Sequence, residues 1–302
     1  MKAMKEEIEQ LKKEKNAVIL AHYYVPKEVQ ETADFVGDSY YLSKKARETE
    51  ADIIVFAGVS FMGESAKILN PTKKVLLPDA EADCAMAHMA SAKKVQEMRE
   101  KYEDLAVVCY INSTAALKTV SDVCVTSSNA VKIVKALPNR NIFFIPDENL
   151  GSYVAKQVPE KNILLNDGYC PVHKQITVET VRQAKAKYSQ AEFLAHPECT
   201  EEILAEADFI GSTADIIHYA EKSSKQEFLI GTEDGVFAEL MKKCPDKRFY
   251  SVMQGQCCVD MKKVTLEKVR DCLKEEKYEV EITEDTREKA QKALDRMLEL
   301  AK

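Results

Sequence analysis

The sequence predicts an α/β protein built of three repeated three-layer αβα sandwich domains, each with a parallel sheet, arranged around a pseudo-threefold axis. Three observations lead there. Short continuous apolar runs alternate with amphipathic stretches, landmarks at the ends of those runs recur at a fixed period, and three of nine cysteines follow the same period. Apolar runs without polar alternation are the mark of parallel strands buried on both faces.

The bulk numbers suit that reading. A chain of 302 residues exceeds the size at which one hydrophobic core usually stops growing. With 45% hydrophobic and 31% charged residues it is an ordinary globular composition; the lack of Trp and wealth of Lys and Glu would suit a thermophile. A net charge of −7 argues against a surface that tracks nucleic-acid phosphates, while leaving room for a small basic pocket. No apolar run approaches the roughly 18–20 residues of a membrane span, and the N-terminus lacks a signal-peptide core, so a cytoplasmic location is expected. Disulfides are uncommon there, and no C-x-x-C pair signals a zinc ribbon or a thioredoxin-type site.

Along the chain, "MKAMKEEIEQLKKEK" reads as a charged helix leading into the strand "VILAHYY", which ends at His22. The corresponding strands "VVCYINST" and "EFLAHPE" place Tyr110 and His196 at spacings of 88 and 86 residues. The next strands end in "VGDS", "VTSS" and "IGST", and Ser39, Ser127 and Thr213 repeat the 88 and 86. The helices that open each following unit, at Val95, Val181 and Val269, are 86 and 88 apart. Self-similarity at a fixed period identifies the folding unit. The middle copy reads as helix 92–102, strand 105–111, helix 113–120, strand 122–126, helix 128–137, strand "NIFFIP", a helix near 149–157 and strand "NILLN". The domains are therefore expected at 1–83, 84–169 and 170–258, with 259–302 closing back onto the first. Ligands of such sheets gather at the carboxyl ends of the strands, where the repeating landmarks stand.

Each unit closes with Pro, Lys, an apolar strand and a cysteine: Cys84, Cys170, and either Cys257 or Cys258. Cys258 keeps the spacings of 86 and 88, whereas Cys257 is one residue out of register. If equivalent loops meet at a threefold axis, three thiolates meet there too, a donor set for a soft metal or an iron–sulfur cluster. With three ligands rather than four, one iron stays open to act on a substrate oxygen. Cys109, Cys124, Cys199, Cys244 and Cys272 lie inside apolar elements or lack repeat partners, and read as small buried hydrophobes.

The stretches "ILAHYY", "ADFVGDSYYLS", "ILNP", "YINSTAALKTVSDVCVTSSNA", "PDENLG", "GYCPVH", "HPE", "IGST", "IGTEDG" and "CVDMKK", in this order from about residue 17 to 265, resemble the quinolinate synthase family. That resemblance implies a [4Fe–4S] cluster held by Cys84, Cys170 and Cys258, and condensation of iminoaspartate with dihydroxyacetone phosphate to quinolinate, in NAD biosynthesis. It implies Tyr24, Tyr110, Asn112, His22, His196 and Glu198 as pocket residues, with Tyr24 and Glu198 as proton carriers and the two histidines on substrate oxygens. Asn112 offers both a donor and an acceptor, and His173 in "CPVH" would orient the cluster loop. Ser39, Ser127 and Thr213 stand near helix starts, where free N–H groups favour anions; capping the helices is their other possible role. An aspartate oxidase or dehydrogenase would supply the imine. Another three-cysteine iron–sulfur hydro-lyase, or an iron-sensing module, would share the cysteine pattern.

Overall fold

A computed structural model describes residues 1–302. Its twelve strands form three separate four-stranded sheets, every strand pair parallel. The first sheet holds β1 (Ala17–His22), β2 (Phe35–Gly37), β3 (Ile53–Ala57) and β4 (Lys74–Leu76). The second holds β5 (Leu105–Tyr110), β6 (Val123–Val125), β7 (Asn141–Ile145) and β8 (Asn162–Leu165). The third holds β9 (Glu192–Ala195), β10 (Phe209–Ile210), β11 (Glu227–Gly231) and β12 (Arg248–Ser251). In each sheet the spatial order is second, first, third, fourth, so the chain reverses direction across the sheet after its second strand. That order leaves a crevice at the carboxyl ends of the first and third strands.

The apolar runs explain the layers. β1 reads AVILAH and β3 reads IIVFA; both are buried nearly throughout, as strands covered on two faces must be. In the third sheet, successive residues go to opposite sides: Leu194, Phe228 and Ile230 pack on one face, Phe193, Ala195 and Leu229 on the other. The first two units and the C-terminal helices share one continuous core instead. Helix Glu284–Leu300 makes that junction by packing on β6, helix Ala115–Thr119 and helix Ser60–Leu69.

The tail also covers a sheet edge. Val280 N–H donates to Val75 O at 2.8 Å and Leu77 N–H to Tyr278 O at 3.1 Å, which shields the free side of β4. Helix Leu266–Glu275 lies against the N-terminal helix Lys2–Glu14. The middle-unit elements appear where expected, with their ends set by their caps. The helix expected at 113–120 runs Ala115–Thr119 because Thr114 Oγ1 accepts Leu117 N–H at 3.3 Å, and that at 149–157 begins at Glu148 because Asp147 caps it through Leu150 N–H at 2.7 Å. No helix is long and apolar enough to cross a membrane.

Candidate active site

The sheets place their first-strand ends on one pocket. His22, Tyr24, Ser39, Cys84, Tyr110, Asn112, Ser127, Cys170, His173, His196, Glu198, Thr213 and Cys258, which are all the site residues expected from sequence, line it together. Cys257 does not.

A repeated local geometry builds the polar rim. Beyond β1, Tyr24 N–H donates to His22 Nδ1 at 3.2 Å; beyond β9, Glu198 N–H donates to His196 Nδ1, also at 3.2 Å. Each imidazole thus keeps its proton on Nε2, and His196 Nε2 lies 3.2 Å from Ser127 Oγ. Tyr24, Asn112 and Glu198 are themselves 88 and 86 residues apart, a second triplet just beyond the first-strand triplet of His22, Tyr110 and His196. Burial holds His22 and His196 neutral, pulling both down to about 3 against the pull of the Glu198 carboxylate.

Glu198 is the hub. It is 3% exposed, accepts Tyr110 O–H at 2.6 Å on Oε1, and has His173 Nδ1 at 2.7 Å from Oε2. Burial opposes its ionisation, but His173 and the hydrogen bonds from His173 and Tyr110 outweigh it and hold the carboxyl below its usual range. On the far side His173 Nε2 is 2.9 Å from Thr232 Oγ1, which is 2.8 Å from the Tyr24 hydroxyl, and Tyr24 in turn reaches Thr213 Oγ1 at 2.7 Å. Burial, followed by the Glu198 charge, pushes both phenols well above the ordinary tyrosine value. Asn112 Oδ1 is buried without a partner, an acceptor left open in the pocket.

The second-strand residues are free of capping duty. At the helix starts Asp38 accepts Tyr41 N–H at 2.8 Å and Ser212 accepts Asp215 N–H at 3.2 Å, while Thr126 N–H is taken by Asn129 Oδ1 at 2.7 Å. The neighbours Ser39 and Thr213 therefore sit at the first helical position without capping it, the Thr213 hydroxyl meeting Tyr24 in the pocket, and Ser127 precedes its helix by three residues.

A threefold-repeated tether seats the cysteine loops. Ser60 N–H donates to Ala82 O at 2.9 Å, Glu148 N–H to Gly168 O at 2.8 Å and Asp234 N–H to Gln256 O at 2.8 Å. Each acceptor stands two residues ahead of Cys84, Cys170 or Cys258, which puts Cys258 rather than Cys257 at the equivalent place. All three thiols are pushed up by burial, Cys84 to about 12, and the Cys258 thiol adds to the effect at Cys84 as Cys84 does at Cys170. Three thiols kept protonated by burial, two of them with a neighbouring thiol adding to it, fit a cation that offsets the charge of their ionised forms. His173 Nδ1 is also 3.2 Å from Cys170 Sγ, and one ligand atom each of Cys170, His173 and Glu198 lies within 4.8 Å of the others. The donor set is compatible with a metal or iron–sulfur site. Of the remaining six, Cys109, Cys124, Cys199, Cys244 and Cys272 are buried and Cys257 is half-buried, all with free thiols.

Sequence reading missed Thr232, whose hydroxyl joins Tyr24 to His173, and Glu233, which lines the pocket beside Cys258. Their signal was present: "IGTEDG" ends the third strand of its unit, and Val59, Asp147 and Glu233 keep the 88 and 86 spacing.

The family model for quinolinate synthetase A protein matches residues 6–299. The chain belongs to that family. It is 54% identical over 298 residues to the quinolinate synthase of Caldicellulosiruptor saccharolyticus, covering 99% of this chain and 98% of the relative. It is also 54% identical to the Fusobacterium nucleatum enzyme, covering 99% of both chains, and 50% identical to quinolinate synthase 2 of Methanosarcina acetivorans, covering 98% and 95%. The chain is thus an enzyme of the quinolinate synthase family, with the pocket above as its candidate active site.

Proposed function

We propose that this chain makes quinolinate from iminoaspartate and dihydroxyacetone phosphate, with Cys84, Cys170 and Cys258 holding a [4Fe–4S] cluster, in the cytoplasmic synthesis of NAD. The observation that carries the reading is the convergence of three register-equivalent thiols and two period-related triplets of polar side chains on one pocket. The repeated sheets and loop tethers favour a pseudo-threefold arrangement of the three units.

When bound, the cluster would supply a Lewis-acidic iron to a substrate oxygen. The protein supplies the rest. The Ser39, Ser127 and Thr213 hydroxyls and the Nε2–H groups of His22 and His196 form a ring of donors for two carboxylates and a phosphate. Both histidines being neutral, they donate without adding charge. Asn112 Oδ1 accepts an N–H or O–H of substrate. Glu198, ionised and fixed by His173 and Tyr110, is placed to take a proton during the condensation. Tyr24, kept protonated, is placed to give one to a leaving hydroxyl, its oxygen oriented by Thr213 and Thr232. Loss of phosphate and two waters gives the aromatic product its driving force.

The test is iron and sulfide content with the visible spectrum of anaerobically purified protein, beside single alanine variants of Cys84, Cys170, Cys257 and Cys258, and quinolinate formation in each. The cluster ligands' variants should lose iron and activity; Cys257→Ala should keep both. A wild type that stays colourless and iron-free after anaerobic reconstitution overturns the reading.

A further inference from the structure

Glu233 is fully buried at the carboxyl end of the third strand of its unit, and its two oxygens are divided between three partners. Oε2 accepts Gly235 N–H at 2.6 Å. Oε1 accepts Cys258 N–H at 3.0 Å and Lys262 Nζ at 2.7 Å. Lys262 stands one turn beyond Cys258 in helix Val259–Lys262, its N–H donating to Cys258 O at 3.1 Å. From there its ammonium also donates to the main-chain oxygen of Tyr24 at 2.5 Å. The same Tyr24 presents its phenol to Thr213 and Thr232 in the pocket. One ion pair therefore holds the backbone of the third cysteine at one end and the backbone of Tyr24 at the other.

The contact around it is close. A Cβ on Gly235 would come within 2.6 Å of Tyr23 O and Tyr24 Cα, and Gln30 Nε2 binds Tyr23 O, Val25 O and Gly235 O at 2.7, 2.8 and 3.1 Å. The equivalent positions differ: the first unit has Val59, and the second has Asp147, which caps its helix and makes no ion pair. A charge-paired version thus occurs only in the third unit. That unit is also the one whose sheet packs into its own two clusters, while the other two share a continuous core with the tail. Cys258 and Met261 still pack against that continuous core, so apolar contact seats the third cysteine loop as it does the other two; the ion pair adds a directional, charge-assisted contact between that loop and the backbone of Tyr24.

We propose, building on the function above, that the Glu233–Lys262 pair is a positioning device that couples the seat of the cluster ligand Cys258 to the seat of Tyr24. Neither residue reacts; Glu233 acts through the cysteine backbone and Lys262 through the tyrosine backbone.

The experiment compares wild type with Glu233→Gln, Lys262→Met and Lys262→Arg after anaerobic reconstitution. Its readouts are iron per chain, the rate at which excess EDTA bleaches the visible band, and kcat against KM. Lys262→Met leaves Glu233 buried without its cation, and Glu233→Gln turns an amide NH₂ toward the N–H of Cys258 or Gly235. Both should still load iron through three thiolates, but lose it about tenfold faster or more, the scale of one broken charge-assisted hydrogen bond, with kcat falling more than KM changes. Lys262→Arg keeps a cation in reach and should restore both readouts to within about threefold of wild type. Bleaching within about twofold of wild type in both charge-removing variants would overturn the coupling, as would Lys262→Arg behaving like Lys262→Met. A wild type that never takes up iron would instead sink the functional reading, and this inference with it.

Discussion

Acidification should weaken the metal-free protein through two particular histidines, and the size of the effect follows from their burial. His22 is 6% and His196 3% exposed. Burial lowers each from 6.5 to about 3; at His22 the Glu198 carboxylate opposes this while His196 and Lys262 reinforce it, and at His196 Glu198 opposes and His173 reinforces. With a folded value below the unfolded one, only the unfolded chain takes up the proton between these limits. The stability contributed is complete above pH ~6.5 and is lost progressively as pH falls toward about 3. Between pH ~7.5 and pH ~5.5 each histidine should cost about 1.4 kcal/mol, or ~3 kcal/mol for the pair. Asp38, Asp147 and Glu233 work the other way, since burial raises their carboxyls and the folded chain protonates first. The informative quantity is therefore a difference between proteins. Urea unfolding of the metal-free wild type, His22→Gln, His196→Gln and the double variant at the two pH values isolates it. The double variant should lose ~3 kcal/mol of acid sensitivity and each single variant about half of that. A double variant as acid-sensitive as wild type would refute the picture of two imidazoles held neutral by burial.

Three further outcomes follow from the pocket. Glu198→Gln removes an ionised acceptor from Tyr110 and His173, at 2.6 and 2.7 Å, and should cut kcat by about 10²–10⁴-fold with iron content unchanged; full turnover would remove Glu198 from the proton-transfer role. Thr232→Val keeps the shape but breaks the link between Tyr24 and His173, so kcat should fall about tenfold, and an unchanged kcat would show that Tyr24 is oriented by Thr213 alone. Gly235→Ala forces a methyl against the backbone of Tyr23 and Tyr24 at 2.6 Å and should cost about 1–3 kcal/mol in urea unfolding, with a matching drop in kcat.

Much of this protein was legible in one dimension. The 86- and 88-residue spacings, the buried runs and the cysteine register are local or periodic, and a repeated unit writes its strand ends into the chain at repeated positions. Spacing alone therefore pointed to the three parallel sheets and to His22, Tyr110, His196, Ser39, Ser127, Thr213 and the cysteines at their ends; Tyr24, Asn112 and Glu198 came from the family resemblance, and Glu233 from neither. It also ranked Cys258 above Cys257 by spacing; the tether from Asp234 to Gln256 gives that ranking its physical basis.

What only the tertiary structure decided is how residues from different units meet. Tyr24 and Thr232 are separated by 208 positions, Tyr110 and Glu198 by 88, and Tyr24 and Lys262 by 238. No periodic pattern specifies such pairs, because each depends on the angle at which one unit's loops face another's. Spacing likewise left open whether Ser39, Ser127 and Thr213 cap helices or face the pocket. Asp38 and Ser212, each one residue away, settle it for Ser39 and Thr213 by taking the helix N–H groups themselves, while Ser127 stands outside its helix, three residues before Ala130. The tail shows the same limit: its helix at Val269 was readable, but its path across β4 and the packing of helix Glu284–Leu300 on the second sheet appear only in the assembled fold.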